Sequence, residues 1–185
     1  MKSNIHKQNK KDQPGLFGEE SLSYNGKNGN VEGPAKGSRP AGYALMYCDG
    51  ASSGNPGESG IGVVIILSDS DAQLPGKNKI CEISEYIGVA TNNVAEYSAL
   101  IKGLEKAKSL GIRKIKVFLD SELLVRQMNG IYKVKNKNLM SLWIQAKNIL
   151  GDFDSYKITH IRREMNKEAD SLARKGSTKK RLKQS

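Results

Sequence analysis

Three apolar segments joined by short connections predict the first strands of the chain. They are Tyr43–Asp49, Gly60–Ser68 and Lys79–Val89. The second segment reads GIGVVIILS, and such a continuous apolar run is typical of a strand that is buried on both faces. A turn is expected over 69–78, where Pro75 precedes a glycine. Short connections of this kind favour an antiparallel meander.

Beyond the third strand, helical and strand patterns alternate. Apolar residues recur at helical spacing after Thr91 or Asn92, either of which can cap the helix, and Gly111 ends it. The later segments predict strands over 114–119 and 155–161, and helices over 122–128, over 138–150 and after residue 166. A strand–helix–strand order predicts parallel pairing with helical crossovers, and therefore an α/β fold.

The composition excludes several classes of protein. The chain has 185 residues, of which 37% are hydrophobic, enough for one domain with a real core. Its longest apolar run, Ile61–Leu67, is too short to span a bilayer, and no apolar signal segment opens the sequence. Two cysteines on separate predicted strands do not form a disulfide framework. We therefore expect a cytoplasmic protein without a membrane partner.

The net charge of +11 is concentrated at the two ends of the chain. Residues 1–39 carry seven Lys/Arg against four Asp/Glu, and residues 174–185 carry six Lys/Arg and no acid. We expect three regions: a disordered basic extension over 1–40, a folded domain over 41–175 and a basic tail over 176–185. Basic tails favour a nucleic-acid partner, although tails that serve only solubility have the same composition.

Four acidic residues lie at the ends of predicted elements. Asp49 ends the first strand, Asp120 follows the fourth, Glu96 lies in the first turns of the long helix, and Asp170 lies in the last helix. If strands one and four are parallel neighbours, Asp49 and Asp120 lie side by side at the carboxyl edge, where α/β sheets build their sites. Two alternatives remain: Asp49-Gly50 can be an ordinary hairpin turn, and Glu96 can simply stabilise a helix dipole.

A cluster of these four side chains points to a metal site. Neighbouring carboxylates raise one another's pKa and are readily accommodated when a cation lies among them. Four oxygen donors without a His or Cys ligand favour Mg²⁺ or Mn²⁺. Two such ions, about 4 Å apart, would clamp a phosphodiester for in-line hydrolysis.

Four motifs in order then resemble the type 1 ribonuclease H family over about residues 42–175. They are DGASSGNPG from Asp49, TNNVAE from Thr91, DSE from Asp120 and NKEAD from Asn166. The resemblance implies a ribonuclease H-like α/β fold: a five-stranded mixed sheet flanked by helices, with strands one to three antiparallel and strands four and five parallel to the first. It also implies an endoribonuclease that cuts the RNA strand of RNA/DNA hybrids and leaves 5′-phosphate and 3′-hydroxyl ends.

The resemblance also implies roles for individual residues. Asp49, Glu96, Asp120 and Asp170 would be the catalytic acids that hold two Mg²⁺ or Mn²⁺ ions. Among the substrate-binding residues, Asn55, Asn92 and Asn93 would contact the RNA strand near its 2′-hydroxyls, and Thr91 would contact a DNA phosphate. The remaining substrate-binding candidates are Gly50, Ser121, Glu122, Lys133, Lys135 and Asn136. We expect a monomer whose partner is an RNA/DNA hybrid, with double-stranded RNA as a further candidate.

Two departures from the family pattern concern substrate binding. Many members carry Gln two positions after the third acid, where this chain has Glu122. The helical basic protrusion of the longer bacterial enzymes is also missing. The short run Lys133, Lys135 and Lys137 stands in its place. The chain therefore resembles the compact subgroup that lacks the protrusion.

A third departure concerns the loop before the last acid. Many members carry a His there, whereas this chain has Arg163, which we take as a further catalytic residue. The alternative is a surface arginine paired with Glu164 or Glu168, and such a pair contributes little to stability. His160 belongs to the preceding strand and receives no catalytic role.

Other classes of function explain the sequence less well. A non-catalytic nucleic-acid-binding module with a decayed site would not need all four acids. A domain released from a reverse transcriptase would be expected to retain traces of the polymerase, and none is recognisable. A dinucleotide-binding protein would carry GxGxxG between a strand and a helix, which this chain lacks.

Overall fold

The computed structural model describes residues 43–68 and 79–183, with side chains to Thr178. The strands are β1 (Tyr43–Gly54), β2 (Gly57–Ser68), β3 (Lys79–Ala90), β4 (Lys114–Leu119) and β5 (Ser155–His160). The helices are α1 (Asn92–Ser109), α2 (Glu122–Met128), α3 (Lys137–Leu150) and α4 (Lys167–Lys183), preceded by a single 3₁₀ turn at Arg163–Met165. The predicted extension over 1–40 and the turn over 69–78 lie outside the described residues.

The five strands form one mixed sheet in the order β3-β2-β1-β4-β5. β1 pairs antiparallel with β2, and β2 pairs antiparallel with β3. β4 lies parallel to β1 on its other side, and β5 lies parallel to β4. The predicted α/β fold and its mixed five-stranded sheet are therefore confirmed. This order brings the carboxyl ends of β1 and β4 together, as the clustering of the acids requires.

The end of the first strand differs from the prediction. β1 does not stop at Asp49, because its small residues continue to pair with β2 as far as Gly54 opposite Gly57. The turn is formed instead by Asn55 and Pro56. The interpretation of Asp49-Gly50 as a hairpin turn is therefore wrong. Pairing with β4, however, ends at Tyr47, so the strand beyond it is free to line a cleft.

β2 is buried on both faces, as its apolar run predicts. Ile61, Val63 and Ile65 belong to the main core, which also includes the buried face of α1. Gly62 faces α4, where a Cβ atom would lie 2.0 Å from the carbonyl oxygen of Ala169. A side chain at this position would push α4 off the sheet. Each large side chain that α1 buries contributes about 1.5–3 kcal/mol to stability.

The helix boundaries follow from local signals. Thr91 caps α1, since its hydroxyl accepts a hydrogen bond from the Val94 N–H at 3.3 Å, and Gly111 leaves the helix with φ +77°. α4 continues beyond residue 175 to Lys183, so the predicted basic tail begins inside this helix. No helix within the described ranges is long and apolar enough to cross a membrane.

Candidate active site

An open cleft of about 620 Å³ lies at the carboxyl ends of β1 and β4. Its walls come from Gly50–Ser53 of β1, the first turns of α1, the start of α2, the 3₁₀ turn and α4. Glu96, Asp120 and Arg163 are among the side chains that line it. The fold thus gathers residues that are far apart in the sequence around one open space.

Asp49 is the most buried of the four acids, with 8% of its surface exposed. Its carboxylate accepts a hydrogen bond from the Gly50 N–H at 2.8 Å, which favours the charged form. Burial nevertheless raises the pKa of Asp49 to about 7, and the charges of Asp120, Asp170 and Glu96 add to this rise. The charges of the other three acids therefore reach Asp49.

Glu96 reaches the cleft from the second turn of α1. One carboxylate oxygen accepts from the Asn92 amide at 2.8 Å, and the other accepts from the Ser121 hydroxyl at 2.5 Å. Burial raises the pKa of Glu96 and the charge of Asp120 adds to it, although the hydrogen bond from Ser121 opposes the rise. Close approach to β1 is possible because Gly50 has no side chain: a Cβ there would lie 2.2 Å from the Glu96 nitrogen.

Asp120 follows the last residue of β4 and is held by a buried amide. The Asn166 Nδ2 donates to the Asp120 carboxylate at 2.8 Å and to the Cys48 carbonyl at 3.1 Å. Because both neighbours are acceptors, the orientation of this amide is fixed. Asn166 is 1% exposed, and its Oδ1 is buried without a hydrogen-bond partner. One side chain thus ties β1 to the third acid.

Asp170 lies at the start of α4 and is paired with two arginines. Arg163 Nη2 approaches its carboxylate at 2.7 Å, and Arg174 Nε approaches it at 2.9 Å. Burial would raise the pKa of Asp170, but the two guanidinium groups outweigh it and lower that pKa. Arg163 therefore pairs with the fourth acid, and the alternative pairing with Glu164 or Glu168 is wrong.

The donors fit a hard divalent cation. Within residues 43–68 and 79–183, the side chains that line the cleft include neither a His nor a Cys. In the same ranges, no group of three or more His, Cys, Asp or Glu side chains has the geometry needed to hold a metal ion. Each of the four carboxylates accepts a hydrogen bond or an ion pair from the protein. Burial and, after it, the neighbouring carboxylates raise the pKa of Asp49, and a cation beside it would lower that pKa again.

Several predicted substrate-binding residues lie at or near the cleft. Gly50, Asn92 and Ser121 line it. Asn55, in the β1–β2 turn, accepts a hydrogen bond from the Asn92 N–H at 3.3 Å, which joins the turn to the start of α1. Thr91 uses its hydroxyl as a cap, and Asn93 is exposed on the first turn of the helix.

The other predicted substrate-binding residues do not line the cleft. Glu122 turns to Arg126, one turn along α2, at 2.6 Å. Lys133 and Lys135 lie in the loop between α2 and α3, where Lys133 lines a separate apolar hollow with Tyr132 and Trp143. Asn136 caps α3 by accepting from the Asn138 N–H at 2.8 Å.

Two residues of the site carry no role in the sequence prediction. Arg174 lies one helical turn after Asp170, and this spacing could have revealed the pair. Asn166 lies one turn before Asp170, and its backbone carbonyl accepts the Asp170 N–H at 3.0 Å. Its contact with the Cys48 carbonyl spans 118 positions, so no local signal could have predicted it.

Comparisons with known proteins identify chains that are similar to this one. The family described as "Reverse transcriptase-like" matches residues 47–176. "Ribonuclease HI" of Halobacterium salinarum is 38% identical over 132 residues, which cover 71% of this chain and 63% of the relative. "Bifunctional protein Rv2228c" of Mycobacterium tuberculosis is 42% identical over 129 residues, covering 70% of this chain and 34% of the relative.

A solved structure extends the comparison to a substrate complex. LC11-RNase H1, isolated from compost by a metagenomic approach, was crystallised with an RNA/DNA hybrid. It is 40% identical, with a TM-score of 0.65, and the match covers 74% of this chain and 97% of the other. This chain spans only about a third of the mycobacterial relative and under two thirds of the halobacterial one. The match over the catalytic fold nevertheless establishes that the chain belongs to the type 1 ribonuclease H family.

Proposed function

We propose that this protein is an endoribonuclease that hydrolyses the RNA strand of RNA/DNA hybrids, leaving 5′-phosphate and 3′-hydroxyl ends. The observation that carries the proposal is a set of four carboxylates from separate elements: Glu96 and Asp120 line one open cleft, and their charges and that of Asp170 reach the buried Asp49. The structure of LC11-RNase H1 with a hybrid supports the choice of substrate. A monomeric state and a cytoplasmic location stay predictions.

Asp49, Glu96, Asp120 and Asp170 would hold two divalent ions, Mg²⁺ or Mn²⁺. Members of the family generally depend on divalent metals. When bound, such ions would polarise the phosphate and lower the pKa of water. Asp170 would contribute a carboxylate oxygen while its arginines hold the remaining lone pairs.

Arg163 would stabilise negative charge on the substrate and would not transfer a proton. Its guanidinium stays protonated in proteins, so it cannot be a general base. Asp170 raises the pKa of Arg163 further. Released from that carboxylate, Arg163 would stabilise the negative phosphate during cleavage or help the product to leave.

The RNA strand would pass along the rim made by the β1–β2 turn and the start of α1. The Asn55–Asn92 contact supports this, because it holds two amide side chains at the same edge of the cleft. Amides can both donate to and accept from a ribose 2′-hydroxyl, the group that distinguishes RNA from DNA. Asn93 and Thr91 would add contacts from the same turn. Glu122 and the loop residues Lys133, Lys135 and Asn136 would serve parts of the hybrid outside the cleft.

Labelled duplexes test the proposal directly. RNA/DNA, RNA/RNA and DNA/DNA are incubated with Mg²⁺, with Mn²⁺ or with EDTA, and the products are analysed for their ends. We expect cleavage of the RNA strand of the hybrid, dependence on metal, and no cleavage by Asp49→Asn. Cutting of DNA/DNA at the same rate, or activity that persists in EDTA, would refute the proposal. The RNA/RNA arm decides whether double-stranded RNA is also a substrate.

A further inference from the structure

One wall of the cleft carries none of the predicted substrate-binding residues. It is formed by Arg174, Ser177 and Thr178 of α4, and Ser52 and Ser53 of β1 also line the same cleft. We call these three residues of α4 the α4 wall. A duplex that lies across the carboxylates would come close to it.

The α4 wall is fixed by direct contact between backbones. A Cβ atom at Gly60 would lie 2.1 Å from the Ser177 nitrogen. A Cβ atom at Gly176 would lie 2.6 Å from the Glu85 carbonyl oxygen of β3. Because glycines permit this approach from both partners, the helix stays seated on the sheet as far as Ser177. The wall is therefore preorganised, which lowers the entropic cost of binding.

The charge of this segment is complementary to a phosphate backbone. From Arg174 to the end, the chain has six Lys/Arg and no acid, whereas the cleft beside it holds the carboxylates. The helix continues for nine residues past Arg174, about 14 Å at 1.5 Å per residue. That length matches the rise of about four base pairs. Basic residues at a helix C-terminus also stabilise its dipole, so the experiment must separate the two effects.

The hydroxyls of the wall can serve the same ligand. Ser177 Oγ and Thr178 Oγ1 donate to carbonyls of the preceding turn, to Arg174 at 2.8 Å and to Lys175 at 3.1 Å. A hydroxyl hydrogen rotates at little cost and can donate to a phosphate oxygen instead. The match to the family ends at residue 176, so the last part of this helix lies beyond the matched pattern.

We propose that the second half of α4 is a phosphate-binding rail for the duplex that occupies the cleft. Arg174 begins the rail, Thr178 continues it one turn later, and the basic end of the helix extends it. The ligand is the sugar–phosphate backbone, bound without regard to sequence. This proposal rests on the proposed function, since it assigns a further contact surface to the same substrate.

The test measures hybrid binding by fluorescence anisotropy in EDTA, over a series of salt concentrations. The rail variant replaces Lys179, Lys180 and Arg181 with Gln. The control variant replaces Lys106, Lys108 and Lys114 with Gln. These control residues lie where α1 ends and β4 begins, at the opposite end of the sheet from the cleft. Their replacement removes the same number of positive charges as the rail variant does. Thermal unfolding of both variants reports any change in helix stability.

We expect the rail variant to lose about tenfold or more in affinity at physiological salt. Its plot of log affinity against log salt should become shallower by roughly 0.7 to 0.9 for each phosphate that the protein no longer neutralises. The control variant should keep the parental slope, and its turnover at saturating hybrid should be unchanged. A Thr178→Glu variant should weaken binding, whereas Ser109→Glu, in the last turn of α1, should not.

Equal slopes in the parent and the rail variant would overturn the proposal, as would an equal loss in the control variant. A parent that cleaves the hybrid while the rail variant binds normally refutes the rail and leaves the proposed function intact. A parent that binds the hybrid through the rail but never cleaves it refutes the proposed function alone. A parent that binds no hybrid refutes both.

Discussion

The four acids of the cleft are held in two different ways. Asp49, Glu96 and Asp120 accept hydrogen bonds from neutral donors, namely backbone, amide and hydroxyl groups. Asp170 instead faces two guanidinium groups. The same chemical group therefore experiences opposite environments: the pKa of Asp49 is raised and that of Asp170 is lowered.

Under the proposed function, this difference bears on which side of the cleft would bind a cation. Asp49, Glu96 and Asp120 are held by neutral donors, although the charge of Arg163 also reaches Asp49 and Asp120. Under the proposed function, the cation would bind on their side of the cleft. The fourth acid is already balanced by the protein itself. An ion bound there would share the Asp170 carboxylate with its two guanidinium partners.

Asp49→Asn should have the largest effect. Turnover should fall by orders of magnitude, because a proposed metal ligand and its charge are removed. The free energy of unfolding should nevertheless rise by about 1–4 kcal/mol at pH 8 without metal, since a buried charge with a pKa of about 7 is removed. Hybrid cleavage assays and urea denaturation of parent and variant measure the two effects.

The effect of Asp49 on the free energy of unfolding should depend on pH. Folding raises the pKa of Asp49, so the folded parent retains a proton that the unfolded chain has already released. Parental stability from this group should therefore fall as the pH rises from about 4 to about 7 and then level off. Asp49→Asn should lack that fall. A variant less stable than the parent at pH 8 would contradict the proposed charge imbalance.

Asp170→Asn should also abolish turnover but should shift stability in the opposite direction. The variant leaves Arg163 and Arg174 without their carboxylate, and both side chains are more than 60% exposed. The loss should be at most about 1 kcal/mol at neutral pH. Because folding lowers the pKa of Asp170, this contribution should disappear as the pH falls below about 4. If Asp49→Asn and Asp170→Asn both raised the free energy of unfolding, pairing with arginine would not be what distinguishes Asp170 from Asp49.

Asn166→Ala should have an intermediate effect on turnover. Without the amide, the Cys48 carbonyl and the Asp120 carboxylate lack a buried donor, which should cost about 1–3 kcal/mol of stability. Residues that orient metal ligands typically change activity by about 10–100-fold when they are removed. Asn129→Ala is the matched control, since its amide donates at 3.2 Å to the Ile158 carbonyl, away from the carboxylates. Equal turnover in the two variants would assign Asn166 a purely structural role.

Local patterns account for most of the fold but not for the contacts of the site. The bounds of β4 and α2 agree with the prediction, because each apolar run ends at a clear stop signal such as Asn129-Gly130. The end of β1 differs from the prediction because small residues are typical of loops, yet here they pair with β2 up to Gly54. Some donors are local, since Gly50 adjoins Asp49 and Asn92 lies one turn before Glu96. Those from Ser121 to Glu96 and from Asn166 to Asp120 depend on long-range packing, and no spacing rule encodes them.

Arg163→Ala should have the smallest effect on catalysis. Turnover should fall several-fold more than hybrid affinity, because the guanidinium would neutralise charge at the reacting phosphate. Arg163→Lys should recover part of that loss, since an ammonium supplies charge but not the planar fork of donors. Arg162→Ala is the matched control, as an exposed neighbour in the same loop. Steady-state kinetics across pH separate turnover from affinity. If Arg163→Ala equals Arg162→Ala at every pH, Arg163 serves only as a counter-ion for Asp170.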